Sequence, residues 1–344
     1  MKAFSWRRSL LILCCCCVLF WLPGLLAACA PSTLPAAATS VSVTPTATPT
    51  GLLLAYHGHT LSVQGVAWSP DGKSIASASG DGTVQVWDAA SGKLLYTHSS
   101  PDQFGFNAVA WSPDGTRLAA ACADNTVQVW DAFTGAHPLT YRGHNAPVLS
   151  VAWSPDGRQI ASAAGDNTVQ VWDTSTARTL LTYRGHSAAV NAVAWSPDGK
   201  EIASGSSDST VQVWDASTAR TLLTYHGHSG NVYALAWSPD GKSIASGAGY
   251  PDDSVQVWDA TTGKTLLTYH GHNAEVYAVA WSPDGKSIAS AGADSTAQVW
   301  DAASGQLHVS FQVVSIVFGV AWSPDSTRIA TANKNAIVDL WQVA

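Results

Sequence analysis

The chain has 344 residues, of which 46% are hydrophobic and 12% charged, with a formal net charge of −7. That is enough chain to bury a sizeable core, and too little charge for a disordered or nucleic-acid-coating protein. An acidic balance also disfavours DNA, RNA and anionic lipid headgroups, whose binding needs clustered Lys and Arg.

Lys2, Arg7 and Arg8 precede an apolar run from Leu10 to Leu22, which Pro23 and Gly24 break before Leu26-Ala27-Ala28-Cys29. A basic end followed by a short apolar core is the layout of an export signal, too short to span a bilayer comfortably as a permanent anchor. Leu-Ala-Ala-Cys resembles the lipobox of bacterial lipoproteins. That resemblance implies removal of residues 1–28 and a diacylglycerol on the sulfur of Cys29, with a second acyl chain needed for firm attachment. An ordinary secretory signal cut nearby is the alternative. Loss of residues 1–28 leaves 14 basic against 24 acidic residues, a net charge of −10.

Cys14 to Cys17 read as small hydrophobes within the apolar run. With Cys29 acylated, Cys122 has no disulfide partner, so the fold must rest on packing. Residues 29–50 form the lipidated cysteine and an uncharged Ala/Pro/Ser/Thr tether, which cannot repay its ordering entropy by burial.

From Gly51 to the end there are 294 residues, seven times 42. Trp-Ser-Pro-Asp recurs with its tryptophan at 68, 111, 153, 195, 237, 281 and 322, and a second tryptophan follows at 87, 130, 172, 214, 258, 300 and 341. Such a period marks a solenoid or a propeller. In the fourth unit Val190–Trp195 alternates imperfectly and meets a Ser-Pro-Asp-Gly turn; Ile202–Gly205 is a short second strand, Thr210–Trp214 a third and Thr221–Tyr225 a fourth. No segment carries a helical stripe long enough to build a helical solenoid. Gly-His, Trp-Ser-Pro-Asp-Gly, Asp and Trp-Asp at these spacings resemble the WD-repeat family, over residues 51–344. The resemblance implies an all-β fold, a seven-bladed β-propeller of four-stranded antiparallel blades. The last unit stops after its third strand, while Leu52–Tyr56 mimics a fourth, so this N-terminal strand is expected to complete the last blade and leave no open edge.

In the WD-repeat family His, Ser or Thr, Asp and Trp of each blade form a hydrogen-bonded tetrad. The resemblance assigns these to His59, Ser77, Asp81 and Trp87; His144, Ser162, Asp166 and Trp172; His186, Ser204, Asp208 and Trp214; His228, Ser246, Asp252 and Trp258; and His272, Ser290, Asp294 and Trp300. A Ser-His-Asp set suggests hydrolysis, but five copies at one spacing without a nucleophile elbow point to structure. The His-Gly-His triplets at 57–59, 226–228 and 270–272 suggest metal, yet each second histidine is claimed by a tetrad. Nearly every aspartate sits in a repeated turn or tetrad. Only Asp102, Asp253 and Asp339, with Glu201 and Glu275, remain, and no pair is an evident acid–base couple. No catalysis, metal or cofactor is expected.

Blades two and seven depart from the tetrad. Asp102 and Ala120 replace His and Ser in one, and Val313, Thr331 and Asn335 replace His, Ser and Asp in the other, so both are expected to be soft. Specificity must come from such departures. Six and four residues before the first tryptophan, blades one to four carry small or polar side chains apart from Leu149, whereas blades five to seven carry Tyr233, Glu275 with Tyr277, and Ile316 with Phe318. Two extra residues around Tyr250 lengthen a blade-five loop on the same face. These six residues are the expected contact with a protein or peptide partner. The overall expectation is a monomeric, lipid-anchored scaffold outside a bacterial cytoplasmic membrane, bound to no nucleic acid. A sugar- or small-ligand-binding propeller is the alternative, and an extracytoplasmic enzyme a more distant one.

Overall fold

The computed structural model describes residues 51–136 and 138–343. The expected signal at 1–28, the lipidated Cys29 and the tether to residue 50 lie outside the described residues.

Blade four shows how one repeat folds. Val190–Trp195, Glu201–Ser206, Val211–Asp215 and Thr221–Tyr225 pair in chain order as one antiparallel sheet. The first turn is closed by the Gly199 amide donating to the Ser196 carbonyl at 2.9 Å, with Gly199 at φ 71°, a left-handed conformation that glycine adopts without strain. Asp198 locks that turn by accepting from Ser196 Oγ at 2.8 Å and from the Lys200 amide at 3.1 Å. The two middle strands are buried on both faces, because each sheet is covered by a neighbour on either side. Polar–apolar alternation is therefore weak there, whereas Thr221 and Leu222 on the outer strand stay exposed.

Seven such sheets follow one another. The first strand of each blade lies against the first strand of the next, and that of blade seven (Val317–Trp322) returns to that of blade one (Val63–Trp68). Leu52–Tyr56 supplies the missing fourth strand of blade seven, pairing Leu54 with Leu340, Ala55 with Asp339 and Tyr56 with Val338.

Two sets of contacts join the blades. On the inner side, Trp153 Nε1 donates to the Ala110 carbonyl of the preceding blade at 3.1 Å, and Trp111, Trp195, Trp237 and Trp322 do likewise. On the outer side, an aromatic ring from each fourth strand lies over the third-strand tryptophan of the next blade. Tyr183 on Trp214, at 4.5 Å between centroids and 5° between planes, is typical. The closing strand joins this pattern through Tyr56 on Trp87, at 4.6 Å. The Tyr183 hydroxyl also donates to Gln212 Oε1, and Tyr56 to Gln85 at 2.6 Å. All seven third-strand tryptophans are 2% exposed or less. Each contributes gross burial of about 4–6 kcal/mol, so this outer belt is a main source of cohesion.

Candidate functional site

The repeated polar residues meet between the strands they punctuate. In blade four His186 Nδ1 lies 2.9 Å from Asp208 Oδ2, His186 Nε2 lies 2.8 Å from Ser204 Oγ, and Trp214 Nε1 donates to Ser204 Oγ at 3.2 Å. A neutral imidazole with its proton on Nδ1 satisfies every group: the carboxylate accepts from Nδ1, Nε2 accepts from the serine, and the serine accepts from the indole. Asp208 also takes the Ser187 amide at 3.0 Å and Thr210 Oγ1 at 2.6 Å. The same contacts join His59, Ser77, Asp81 and Trp87, and His144, Ser162, Asp166 and Trp172. They also join His228, Ser246, Asp252 and Trp258, and His272, Ser290, Asp294 and Trp300.

Burial pushes the tetrad carboxyls up, but hydrogen bonds outweigh it. For Asp252, donation from His228 and Ser254 holds the carboxyl down at about 2. Burial lowers His144 and His186, with their aspartates offsetting part of the effect, so both imidazoles favour the neutral form. All five tetrad serines are 0% exposed. Their hydroxyls are walled in by Trp and His and are out of reach of a substrate. Among the described residues no group of three or more His, Cys, Asp or Glu is placed to hold a metal ion.

Blade two solves the loss of its serine differently. With Ala120 in that place, Trp130 Nε1 donates to Tyr96 OH of blade one at 3.0 Å. His98 takes the stacking position over Trp130 at 3.9 Å and reaches Gln128 Oε1 through Nε2 at 2.8 Å. In blade seven Thr331 Oγ1 accepts from Trp341 Nε1 at 2.9 Å. Cys122 is 0% exposed, and burial pushes its thiol up to about 11, the behaviour of an unreactive cysteine.

The departures in blades five to seven come together on the rim bearing the tetrad turns. Tyr233 and Tyr277 lie 5.2 Å apart between ring centroids, and Tyr277 and Phe318 lie 5.6 Å apart. All three rings are half-buried. At the matching places in blades two and four, Asn107 and Asn191 donate to carbonyls of the next blade, Val148 at 2.8 Å and Val232 at 2.9 Å. The aromatic row thus bridges blades as the asparagines do, while keeping part of its surface in solvent. Tyr250 is 77% exposed beside it. Glu275 and Ile316 are half-buried on the same rim, and the Ile316 carbonyl accepts from the Lys334 amide at 2.9 Å. Asp253, which the sequence left merely unassigned, belongs here as well: Glu275 and Asp252 act on its carboxyl, and its Oδ1 is buried without a hydrogen-bond partner. Only the lengthened loop brings it there, so spacing gave no signal.

A separate groove of about 710 Å³ opens at the other end of blades five and six, lined by Trp281, Leu266, Asp240, Asp284 and Lys286 among others.

A ring of seven four-stranded blades, five of them threaded by the same His–Ser–Trp and His–Asp hydrogen bonds, defines a β-propeller of the WD-repeat kind. The sequence matches the WD domain, G-beta repeat family over residues 51–88, 92–131, 135–173, 177–215, 219–259 and 263–301, more than half of the chain, and the protein belongs to that family. It is 56% identical over 41 residues to an uncharacterised WD repeat-containing protein of Synechocystis, covering 12% of each chain. It is also 47% identical over 51 residues to the target of rapamycin complex subunit wat1 of Schizosaccharomyces pombe, covering 14% of this chain and 16% of that one. A third match, 54% over 37 residues, is to a probable cytosolic iron-sulfur protein assembly protein, Ciao1, of Culex quinquefasciatus, covering 11% of each. The shared segments span less than a fifth of these relatives.

Proposed function

We propose that this protein is an interaction scaffold, a lipid-anchored propeller outside a bacterial cytoplasmic membrane that holds a protein or peptide partner on the rim of blades five to seven. The observation that carries the reading is the contiguous Tyr233–Tyr277–Phe318 row, half-buried and flanked by the exposed Tyr250. Partly exposed aromatics that are already ordered give up little entropy on binding and supply the anchors on which partner affinity concentrates. The buried tetrad serines and the satisfied imidazoles support binding without chemistry. The expected lipobox at Cys29 supports the membrane attachment, and the absence of clustered Lys and Arg supports a partner other than nucleic acid.

A photo-crosslinking residue at position 250 in intact cells tests the site. The reading expects one recurrent partner with the native sequence, none with Tyr233→Ser/Tyr277→Ser/Phe318→Ser, and similar thermal unfolding of both chains. Equal capture by both overturns the site. Cys29→Ser is expected to release the chain from the membrane fraction. The small-ligand reading rests on the groove beside Trp281, at the end of the blades away from the aromatic row. Binding of a sugar that Trp281→Ala abolishes would favour it.

A further inference from the structure

The aromatic row shares its place with carboxylates that pair with no lysine or arginine among the described residues. Tyr233 and Glu275 meet over Gly249: a Cβ at that glycine would lie 2.6 Å from Tyr233 Cε2 and 2.9 Å from Glu275 Cγ, so only a bare α-carbon lets the ring and the carboxylate stem approach together. Asp253 sits in the same loop with its amide on the Gly249 carbonyl at 3.4 Å, and its Oδ1 is buried and unpaired. The lysine and arginine ion pairs of the described residues involve Asp71, Asp198, Asp240, Asp284 and Asp325, all in the Trp-Ser-Pro-Asp turns at the opposite end of the blades. In the rim turns of blades five to seven, Lys334 of blade seven is the one lysine or arginine.

The local electrostatics agree. Burial pushes the Asp253 carboxyl up, and the charges of Glu275 and Asp252 push it further. Burial likewise raises the Tyr277 phenol, with Glu275, Tyr233 and Asp253 adding to the effect. Two carboxylates and two phenol rings therefore share one region of negative potential. An apolar partner would desolvate these carboxylates with nothing to compensate and a neutral donor would do so only in part, whereas a cation would pair with them and face the negative π-surface of the rings. A guanidinium suits the place better than an ammonium. It is planar enough to lie on a ring, offers five donors to carboxylates on two loops, and is less strongly hydrated.

We propose that the rim of blades five to seven takes an arginine side chain from its partner, laid on Tyr233 and Tyr277 with its guanidinium turned toward Glu275 and Asp253. This rests on the reading of that rim as the partner face. The excess of acidic residues over the whole ring steers such a segment inward at low salt.

The test uses the full chain in detergent with its tyrosines replaced by 3-fluorotyrosine, the signals of Tyr233 and Tyr277 being assigned through their Phe variants. The probes are acetyl-Gly-Ser-Arg-Ser-Gly-amide and the same peptide with citrulline, which keeps the shape of arginine and removes its charge. The arginine peptide is expected to shift both signals saturably and to bind about tenfold more tightly than the citrulline peptide. Glu275→Gln and Asp253→Asn should each weaken the arginine peptide by about threefold or more without lowering the unfolding temperature, and salt should weaken it further. Equal binding of the two peptides, no saturable shift with either, or indifference to both substitutions overturns the arginine assignment. Partner crosslinking that is still lost in the triple serine variant would then leave the scaffold reading standing, whereas retained crosslinking would remove the partner face itself.

Discussion

Phe311 stacks on Trp341 at 4.9 Å, in the place where five other blade junctions put a tyrosine whose hydroxyl donates to a buried glutamine. Phenylalanine has no hydroxyl to give, and Asp339 stands where the glutamine would be. Asp339 is 8% exposed and takes the Asn333 amide group at 3.1 Å. Burial pushes its carboxyl up to about 6, with Asn333 and His57 offsetting part of the effect. A carboxyl raised on folding binds its proton more tightly in the native state. It therefore adds stability as pH falls from about 6 to about 4, and costs stability above that window.

The first prediction concerns this seam. Asp339→Asn should stabilise the protein at pH 7.5 by about 2–3 kcal/mol, and the gain should shrink to nothing near pH 4. Urea unfolding at both pH values measures it. A gain independent of pH would mean that packing, and not ionisation, separates the two side chains.

The tetrads titrate in the opposite sense. His144 and His186 are lowered on folding, so the stability tied to their neutral form is present above about 6.5 and is lost as pH falls below it. The tetrad aspartates, also lowered, lose theirs at more acid pH, below about 4. Between pH 6 and 4 Asp339 opposes the histidines, so Asp339→Asn should make the decline on acidification steeper there. Stability measured in steps of half a pH unit checks the crossing.

Removing one tetrad hydroxyl should be costly. Ser204→Ala leaves His186 Nε2 and Trp214 Nε1 unpaired in a buried site, an expected loss of about 2–5 kcal/mol. In blade two the equivalent serine is already absent, and the weak point moves to the preceding blade. Tyr96→Phe removes the acceptor of Trp130 and should cost about 1–3 kcal/mol. Thermal unfolding of the two variants compares them directly.

Blade two keeps only part of the repeated network, so it should open more readily than blade four. Cys122 reports this through its buried thiol. Peptide mass spectrometry after alkylation should find it unmodified in the native protein over minutes. On approaching the unfolding transition it should be labelled before the amides of Val211–Asp215 exchange. Labelling no earlier than exchange in blade four would place the two blades in one cooperative unit.

Much of the ring was legible because it is written seven times. Trp-Ser-Pro-Asp fixed the turn after each first strand, and the likeness of Leu52–Tyr56 to the fourth strands marked it as the partner of Val338–Gln342, with which it pairs. The spacing from His to Ser and from His to Asp, 18 and 22 residues in blade four, tracks the side chains that share hydrogen bonds. What escaped was less regular or less suspect. Gln212 recurs in six of the seven blades, but a polar residue inside a third strand reads as a solvent-facing position until Tyr183 of the previous blade is seen to cover it. The exchange of Tyr96 for a serine crosses a blade boundary, and no in-register comparison of repeats reveals it. Asp253 and Asp339 looked like leftovers because their surroundings come from an inserted loop and from the opposite end of the chain.

Thermal unfolding of a chain lacking residues 51–56 probes the closed ring most directly. Without Tyr56 on Trp87 and without the partner strand of Val338–Gln342, the midpoint should fall by on the order of 10 °C and the transition should broaden as blades seven and one part first. An unchanged, equally sharp transition would contradict closure, and with it the continuous rim on which the partner site depends.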